Sequence, residues 1–339
     1  MKVRSVLASL RIAGLAVVAA MLVAAPRSAE AAPQVSLRMY SSLPADDNSA
    51  HYVWYAKFKE ALEARTKGAV EVNFFPNAQL GKEADAIQQV RLGAIDLMVS
   101  GTSIWATIAP EIGVLDLGYL FDGYAQVGKS LDGAAGKTLG DLLEQKSNVR
   151  VLGFGFSMGA RNVYTRSPVK TPHDLDNVKV RVLPVPNFLA TLKAMGVTPI
   201  PMPGGEVYSG LQMGVIDGLE HDAATVLASK FYEIAKYCTL TRHIYNPIVV
   251  VVNKRSFDRV PAALRPDFLA AAAEATAWER GVAEAAEAKA FEELKARGVV
   301  VSETDAAYFR TAVKPVWAEF AAKYPVAAEV LRQIESGSK

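Results

Sequence analysis

The residue of this sequence best placed to do chemistry is Arg181. Residues 173–203 are typical of a strand, a proline-bounded loop, a helix and a second strand, and Arg181 lies near the carboxyl end of the first strand. In open α/β sheets, ligands bind at that edge. A guanidinium matches a carboxylate through two parallel hydrogen bonds. The position therefore predicts that Arg181 holds an organic acid, in a protein that binds its ligand without transforming it. A surface arginine on an edge strand is the alternative.

Two segments of the chain have the same order of features and place two more polar residues at strand ends. The shared features occur in residues 70–97 and again in residues 197–218. In both segments a strand meets proline, and a glycine-containing loop and a helix follow. Each segment then continues with Gly, a small apolar residue and Ile-Asp. If the segments are equivalent, the strands that follow them carry Ser100 and His221 at their ends. The sequence then predicts that both side chains line a cleft between two similar lobes. Chance similarity of two αβ segments is the alternative.

Two further charged residues are candidates for the same site. Arg161 precedes an aromatic-containing strand and is predicted either to give a second basic contact to an anion or to be a surface charge. Glu83 opens a helix, where a carboxylate interacts favourably with the positive end of the helix dipole. It is equally predicted to face the cleft and accept hydrogen bonds from ligand hydroxyls.

The sequence lacks the common catalytic and metal motifs. Residues 153–159 (GFGFSMG) resemble a dinucleotide-binding loop, but their last glycines are one residue too far apart and no clear helix follows, so nucleotide binding is rejected. No Walker-type loop, HExxH or Gly-x-Ser-x-Gly sequence occurs. The four histidines show no local metal-pair spacing, and the single Cys238 excludes an intrachain disulfide and a cysteine-rich zinc site. No metal or cofactor is predicted.

The first 32 residues are predicted to be a secretory signal peptide that is cleaved near Ala31. They contain a basic start, an apolar run over residues 12–25 and small residues before the cleavage point. The apolar run is shorter than the ~20 residues of a membrane span, which speaks against an uncleaved anchor. Removing the leader takes away four of the 37 Lys and Arg and one of the 35 Asp and Glu, so the net charge changes from +2 to −1. The mature chain therefore gives no general electrostatic case for nucleic acid as a partner.

The periodicity of the remaining chain predicts an α/β fold. Strands are predicted at residues 35–40, 69–75, 95–100, 149–156, 161–166, 178–182, 216–220, 247–253 and 299–302. Helices are predicted at residues 51–66, 83–92, 137–145, 188–195 with Asn187 as N-cap, 206–213, 223–235 and 261–297. Residues 247–253 are nearly all apolar, as in a strand that is buried on both faces. The helix over residues 261–297 would be ~50 Å long, enough to lie along two lobes. Helix is predicted again from Thr304 onward.

Four long segments together resemble a known family. They are FFPNAQLGKEADAIQQVRLGAIDL, GARNVYTRSPVKTPHDLDNVKVRV, EVYSGLQMGVIDGLEHDA and KFYEIAKYCTLTRHIYNP, in that order along the chain. The sequence is similar to the substrate-binding proteins of tripartite ATP-independent periplasmic (TRAP) transporters, of the dicarboxylate type, over essentially the whole mature chain.

The resemblance implies a two-lobed, periplasmic-binding-protein-like clamshell with a cleft between the lobes and a long helix spanning both. It also implies a periplasmic location. The predicted division is a signal peptide over residues 1–32, lobe I over 33–158 and 247–286, lobe II over 159–246 and 287–325, and a C-terminal helix or tail over 326–339.

The resemblance also implies roles for individual residues. Arg181 falls on the family's hallmark arginine, which pairs with the ligand carboxylate, although Leu183 stands here where the family has proline. Arg161 falls on a second arginine, and Glu83 follows the family's Q-L-G sequence. His221 stands where the family often has asparagine, which would favour a second carboxylate or a hydroxyl-rich acid. Glu220, Arg161 and His243 form a supporting set that is predicted to steady the cleft on closure.

The predicted function is that of a receptor that delivers a small organic acid to the sodium-coupled membrane subunits of a TRAP transporter. Sugar acids, C4-dicarboxylates, keto acids and aromatic acids all remain open as ligands. One alternative is a binding protein that serves a sensor or bridges a keto acid through a metal. Another is an exported enzyme that uses Glu83 and His221, which the absence of a nucleophile with a matched base disfavours.

Overall fold

The computed structural model describes residues 32–337, so the predicted leader lies outside the described part except for Ala32. The strands in this range are β1 Val35–Tyr40, β2 Val70–Phe75, β3 Leu97–Gly101, β4 Val149–Gly155, β5 Arg161–Thr165, β6 Lys179–Val182, β7 Thr198–Pro201, β8 Gly218–His221, β9 Tyr237–Ile244, β10 Ile248–Asn253 and β11 Val300–Glu303. The helices are α1 Ala50–Thr66, α2 Glu83–Leu92, α3 Tyr124–Asp132, α4 Ala134–Ser147, α5 Pro186–Ala194, α6 Val207–Gln212, α7 Ala223–Ala228, α8 Lys254–Arg259, α9 Arg265–Ala296, α10 Ala306–Lys323 and α11 Pro325–Gly337. None of these helices combines the length and the apolar character needed to cross a bilayer.

The strands form two mixed sheets, and the fold is α/β and two-lobed, as predicted. The five-stranded sheet has the order β2-β1-β3-β10-β4, and the six-stranded sheet has the order β11-β9-β5-β8-β6-β7. The 32-residue helix α9 packs against α1, β4 and α7. The chain passes from the five-stranded to the six-stranded sheet between β4 and β5 and returns between β9 and β10. The residue boundaries of the two lobes stay a prediction.

The same five-element unit occurs once in each sheet, which confirms the predicted repeat. Units β1-α1-β2-α2-β3 and β6-α5-β7-α6-β8 form parallel strands in the orders β2-β1-β3 and β7-β6-β8. Asp96 and Asp217 occupy matching positions in the two units. Oδ2 of Asp96 accepts a hydrogen bond from the backbone N–H of Arg38 at 2.7 Å, and Oδ2 of Asp217 accepts one from the backbone N–H of Lys179 at 3.1 Å. Because ligands bind at the carboxyl ends of such strands, each unit can supply one half of a site.

Helix α5 begins earlier than the sequence predicted. Val185 is its N-cap and Pro186 lies in its first turn, where a missing N–H costs little. Asn187 therefore lies inside the helix, and its buried side chain donates a hydrogen bond from Nδ2 to Gly113 O at 2.6 Å. Asn187 tethers α5 to the 3₁₀ turn Pro110–Asp116 and does not cap the helix.

Strand β9 was not predicted, since no element was assigned to residues 236–246, and the helix predicted over residues 223–235 is shorter than expected. The structure ends α7 at Ala228, and Lys230 then adopts a left-handed backbone conformation with φ of 58°. The chain continues into β9, which pairs antiparallel with β5 and parallel with β11. This strand places His243 inside the protein.

Strand β10 lies between two apolar cores, as residues 247–253 predicted. Val249 and Val251 pack into one buried cluster, and Val250 and Val252 pack into the other. None of the four has exposed surface. Since successive side chains of a strand point to opposite faces, the central residues of a strand in this place must be apolar on both faces.

The segment 156–160, which links β4 to β5, is held by two glutamate side chains of the long helix α9. Oε2 of Glu279 accepts a hydrogen bond from the Phe156 N–H at 2.9 Å, and Oε1 of Glu287 accepts one from the Ala160 N–H at 3.0 Å. This first connection between the two sheets is therefore fixed at both of its ends to one helix.

The same contacts explain the glycine-rich sequence over residues 153–159. A Cβ atom at Gly155 would collide with Oε2 of Glu279, and one at Gly159 would lie 2.8 Å from Oε1 of Glu287. Gly159 also has a φ of +134°, which side chains rarely permit. These glycines allow the close approach of α9 to the crossing segment.

Candidate functional site

A cavity of about 400 Å³ lies at the carboxyl ends of strands from both repeated units. Ser42 follows β1 and Gly101 ends β3 on the five-stranded side, while Arg181 in β6 and His221 in β8 line the cavity from the six-stranded side. The volume is typical of small-molecule sites. The other polar residues of the lining are His51, Asn77, Glu83, Ser103, Ser157, Arg161, Tyr208, Asp222, Thr225, Ser229, Lys230 and Asn246.

Arg181 presents an unpaired guanidinium edge in a buried position. Its side chain is 2% exposed, and Nε donates a hydrogen bond to Met202 O at 2.8 Å. Neither Nη1 nor Nη2 has a hydrogen-bond partner among the described residues. Burial lowers the pKa of Arg181 to about 10, so the side chain stays protonated at neutral pH. A buried cation in this state is disfavoured unless an anion pairs with it.

Arg161 is buried as well, which excludes the surface charge that was one of its two predicted places. Its Nε lies 2.5 Å from Oε2 of Glu220 and its Nη2 lies 2.9 Å from Oε1. Burial opposes the ionised form of both residues, but their mutual attraction outweighs it, so the pKa of Arg161 is raised and the pKa of Glu220 is lowered to about 2. The charge of Arg161 is thus neutralised inside the protein. Within the described range, only its Nη1 is left to contact a ligand.

His243 completes the group that was predicted to support the cleft. It is fully buried, and its Nε2 lies 3.4 Å from Oε2 of Glu220. Burial lowers the pKa of His243, so the ring is neutral at pH 7. The three residues are adjacent, and their role in closure stays a prediction.

His221 is held by the residue that follows it. Its Nδ1 lies 2.8 Å from Oδ2 of Asp222. Asp222 also caps α7, since its Oδ1 accepts a hydrogen bond from the Thr225 N–H at 2.8 Å and its Oδ2 accepts one from the Thr225 hydroxyl at 3.0 Å. The His221 side chain is 15% exposed, into the cavity. Burial and then the nearby Arg161 charge lower the pKa of His221, so the ring is neutral at pH 7.

Glu83 lies at the start of α2 and faces the cavity. Its Oε1 accepts a hydrogen bond from the hydroxyl of Ser42 at 2.8 Å. Burial raises the pKa of Glu83 in spite of the opposing effects of Ser42 and Arg181. The position suits a hydrogen-bond acceptor for ligand hydroxyls, the role that the sequence predicted and that stays a prediction.

Ser100 lies outside the cavity lining, which argues against its predicted contact with a ligand. It has no exposed surface, and its Oγ accepts a hydrogen bond from Nε1 of Trp105 at 3.0 Å. Although Ser100 and His221 occupy equivalent places in the repeat, the 3₁₀ turn Thr102–Thr107 brings Trp105 against the serine. The residues that reach the cavity from this strand end are Gly101 and Ser103.

Several polar residues of the site were not singled out by the sequence. Ser42 lies two residues after the end of β1 and Asp222 directly follows β8, so the rule that pointed to Arg181 could have found them. Asn246 lies where the chain returns to the five-stranded sheet, and its Nδ2 donates hydrogen bonds to Oδ1 of Asp116 at 2.9 Å and to Oγ of Ser103 at 3.3 Å. No periodic pattern marks that position.

The chain resembles known proteins in sequence and in structure. The family model described as bacterial extracellular solute-binding protein, family 7, matches residues 40–324. The 2,3-diketo-L-gulonate-binding periplasmic protein of Escherichia coli (strain K12) is 35% identical over 339 residues, 99% of either chain. A TRAP periplasmic solute binding protein from Citrobacter koseri with bound D-glucuronate is 34% identical, with a TM-score of 0.82 over 88% of this chain and 98% of that one. The sugar acid binding protein of Advenella mimigardefordensis strain DPN7T in complex with galactonate is 29% identical, with a TM-score of 0.84 over 90% and 99%.

Proposed function

Since the chain belongs to family 7 of the bacterial extracellular solute-binding proteins, the receptors of TRAP transporters, we propose that it binds a sugar acid or a related carboxylate through Arg181. We propose further that it delivers this ligand to a sodium-coupled permease. The family and its structural neighbours are binding proteins of transporters and not enzymes. Export by a signal peptide cleaved near Ala31 is part of the proposal.

The unpaired guanidinium edge of Arg181 is the observation that carries the proposal. Arg161 already has Glu220 as its counter-ion, whereas no carboxylate hydrogen-bonds to Arg181 within residues 32–337. A ligand carboxylate would accept hydrogen bonds from Nη1 and Nη2 and would balance the buried charge. The binding proteins from Citrobacter koseri and Advenella mimigardefordensis hold glucuronate and galactonate, both of which are sugar acids.

The proposed mechanism uses both halves of the site. The carboxylate pairs with Arg181 on the six-stranded side, and ligand hydroxyls meet Glu83 and Ser42 on the five-stranded side. A ligand that touches both sides stabilises the arrangement in which they are close. Closure also removes water from the carboxylate and its guanidinium partner, which strengthens their interaction.

We expect an organic acid at 100 times its dissociation constant to stabilise the mature protein against unfolding by about 2.7 kcal/mol. A thermal-shift screen with sugar acids, C4-dicarboxylates, keto acids and aromatic acids measures this. Each acid is tested with and without calcium, because a shift that needs calcium would favour a metal-bridged keto acid. Within residues 32–337, no group of three or more His, Cys, Asp or Glu is arranged to hold a metal ion. No shift with any acid, in protein shown to be free of bound ligand, would contradict the proposal.

We expect the ion pair between Lys82 and Glu206 to favour the closed form. Lys82 precedes α2 and Glu206 precedes α6, so the pair joins the two halves beside the cavity, with Nζ 2.6 Å from Oε1. Since both side chains are exposed, Lys82→Met or Glu206→Gln should weaken acid binding by at most about fivefold, and less at high salt. A double-mutant cycle by isothermal titration calorimetry at two salt concentrations measures the coupling. Lys137→Met, which breaks an exposed ion pair on α4, is the matched control, and equal losses in the two variants would contradict a role in closure.

A further inference from the structure

The ring of His221 has two nitrogens with different surroundings. Nδ1 lies 2.8 Å from Oδ2 of Asp222 and 3.0 Å from the backbone N–H of the same residue. Nε2 has no hydrogen-bond partner among the described residues, and His221 lines the cavity. Since Nδ1 is turned to Asp222, Nε2 is the ring nitrogen left to meet a ligand.

The carboxylate of Asp222 decides which nitrogen carries the proton. Burial opposes its ionisation, but the hydrogen bonds that it accepts from His221 and Thr225, together with the nearby Arg161 charge, outweigh burial and keep the pKa of Asp222 low. The backbone N–H of Asp222 also faces Nδ1, at 3.0 Å, and by itself would favour a lone pair there. The carboxylate oxygen is closer, at 2.8 Å, and charged, so it would repel a lone pair but accepts a strong hydrogen bond from a protonated Nδ1, and this stronger interaction places the proton. The neutral imidazole carries one proton. With that proton on Nδ1, Nε2 has a lone pair.

We propose that His221, with its Nδ1 proton fixed on Asp222, presents Nε2 to the cavity as a hydrogen-bond acceptor, so that the site selects hydroxylated monocarboxylates and rejects dicarboxylates. The inference rests on the proposed function and specifies its ligand class. Of the two ligand types that a histidine in this position would favour, it selects the hydroxyl-rich acid over the second carboxylate.

The sheet places His221 at a suitable distance from Arg181. Arg181 pairs with Leu219 in the neighbouring parallel strand, and His221 lies two residues further along that strand. With ~3.3 Å per residue and ~4.8 Å between strands, the two Cα atoms are about 8 Å apart. A sugar acid whose carboxylate lies on Arg181 can therefore extend a distal hydroxyl towards His221.

The chemistry at that end of the ligand separates the two classes. A hydroxyl donates a hydrogen bond to Nε2, whereas a carboxylate has no proton to donate at neutral pH and would face the lone pair. Sites built to pair with a hydroxyl discriminate strongly against ligands that cannot make the bond, because buried polar groups are then left unpaired. Arg161 does not remove this penalty, since Glu220 already neutralises its charge.

Isothermal titration calorimetry with matched acids tests the inference. The probes are galactonate, galacturonate and galactarate, then gluconate, glucuronate and glucarate, with succinate and malate added. Within each sugar series the acids share their stereochemistry, and only the dicarboxylate carries a second charge. We expect the best monocarboxylate to bind wild-type protein at least tenfold more tightly than its dicarboxylate counterpart. In His221→Gln the ratio should fall at least tenfold, because an amide can rotate to donate or to accept.

His173→Gln, at an exposed histidine, is the control and should leave the ratio unchanged. Nitrogen NMR of histidine-labelled protein gives a readout that does not depend on any variant folding, and we expect Nδ1 of His221 to be protonated and Nε2 not. A dicarboxylate as the tightest ligand, an unchanged ratio in His221→Gln, or a proton on Nε2 alone would overturn the inference while leaving acid binding intact. Failure of every acid to bind would instead overturn the proposed function, and the inference with it.

Discussion

Replacing Arg181 by alanine should weaken acid binding by about 2–5 kcal/mol, which is roughly thirtyfold to several thousandfold in the dissociation constant. The reason is that neither Nη1 nor Nη2 of Arg181 has a hydrogen-bond partner in the described chain, so the ligand carboxylate loses both of its charge-assisted hydrogen bonds. Arg181→Lys should also bind weakly, because an ammonium cannot reproduce the planar fork. Isothermal titration calorimetry with the best acid from the screen measures both losses.

The matched control for these variants is Arg166→Ala. Arg166 is an exposed arginine that follows β5 on the same sheet, and its replacement should leave the affinity unchanged. The unliganded Arg181→Ala protein should keep its melting temperature, since the change removes a buried charge that has no counter-ion. Wild-type affinity in Arg181→Lys would remove Arg181 from the site.

Glu279→Gln should remove a large part of the pH dependence of stability. Burial raises the pKa of Glu279 to about 8 in the folded protein, from an ordinary value of 4.5. Between these two values the folded state binds more protons than the unfolded state, so the free energy of unfolding falls as pH rises, by up to about 1.4 kcal/mol per pH unit. Glutamine keeps an oxygen that accepts the Phe156 N–H but cannot ionise. Melting temperatures from pH 5 to pH 8 should therefore fall less steeply in the variant, and at pH 8 the variant should be the more stable protein.

Two neighbouring carboxylates on α9 make the comparison specific. Burial raises the pKa of Glu287 to about 7, so Glu287→Gln should flatten the same profile over a lower pH range. Glu284 is exposed on the same helix, and Glu284→Gln should retain the wild-type slope. A wild-type slope in Glu279→Gln would mean that this carboxylate ionises as it does in water.

Local sequence signals predicted the elements that carry the site. Helix α2 begins at Glu83 and ends before Gly93, whose φ of 79° is the left-handed stop that glycine permits, as predicted. The period-two valines around Arg181 placed it correctly at the carboxyl end of a strand. In both cases the information lies in residues that are neighbours along the chain.

Contacts between distant segments could not be predicted in the same way. The repeat predicted the backbone place of Ser100 correctly, but not that Trp105 would cover its hydroxyl. The N-cap chemistry of Asn187 was plausible locally, yet its amide bonds to Gly113, which lies far away in the chain. Such contacts depend on how two distant elements pack against each other, and the local secondary-structure propensity of a residue contains no information about this packing.

The position of β10 has a consequence for the order in which the protein can fold. It pairs with β3 on one side and with β4 on the other, with Val250 opposite Val99 and Gly153. Strands β5 to β9, which belong to the other sheet, all precede β10 in the sequence. The five-stranded sheet therefore stays divided until residue 253 has left the ribosome, and its final closure joins segments of large sequence separation, which makes folding slow. A chain of this design remains incompletely folded during most of its synthesis, which is the state in which a polypeptide can be threaded through a membrane channel.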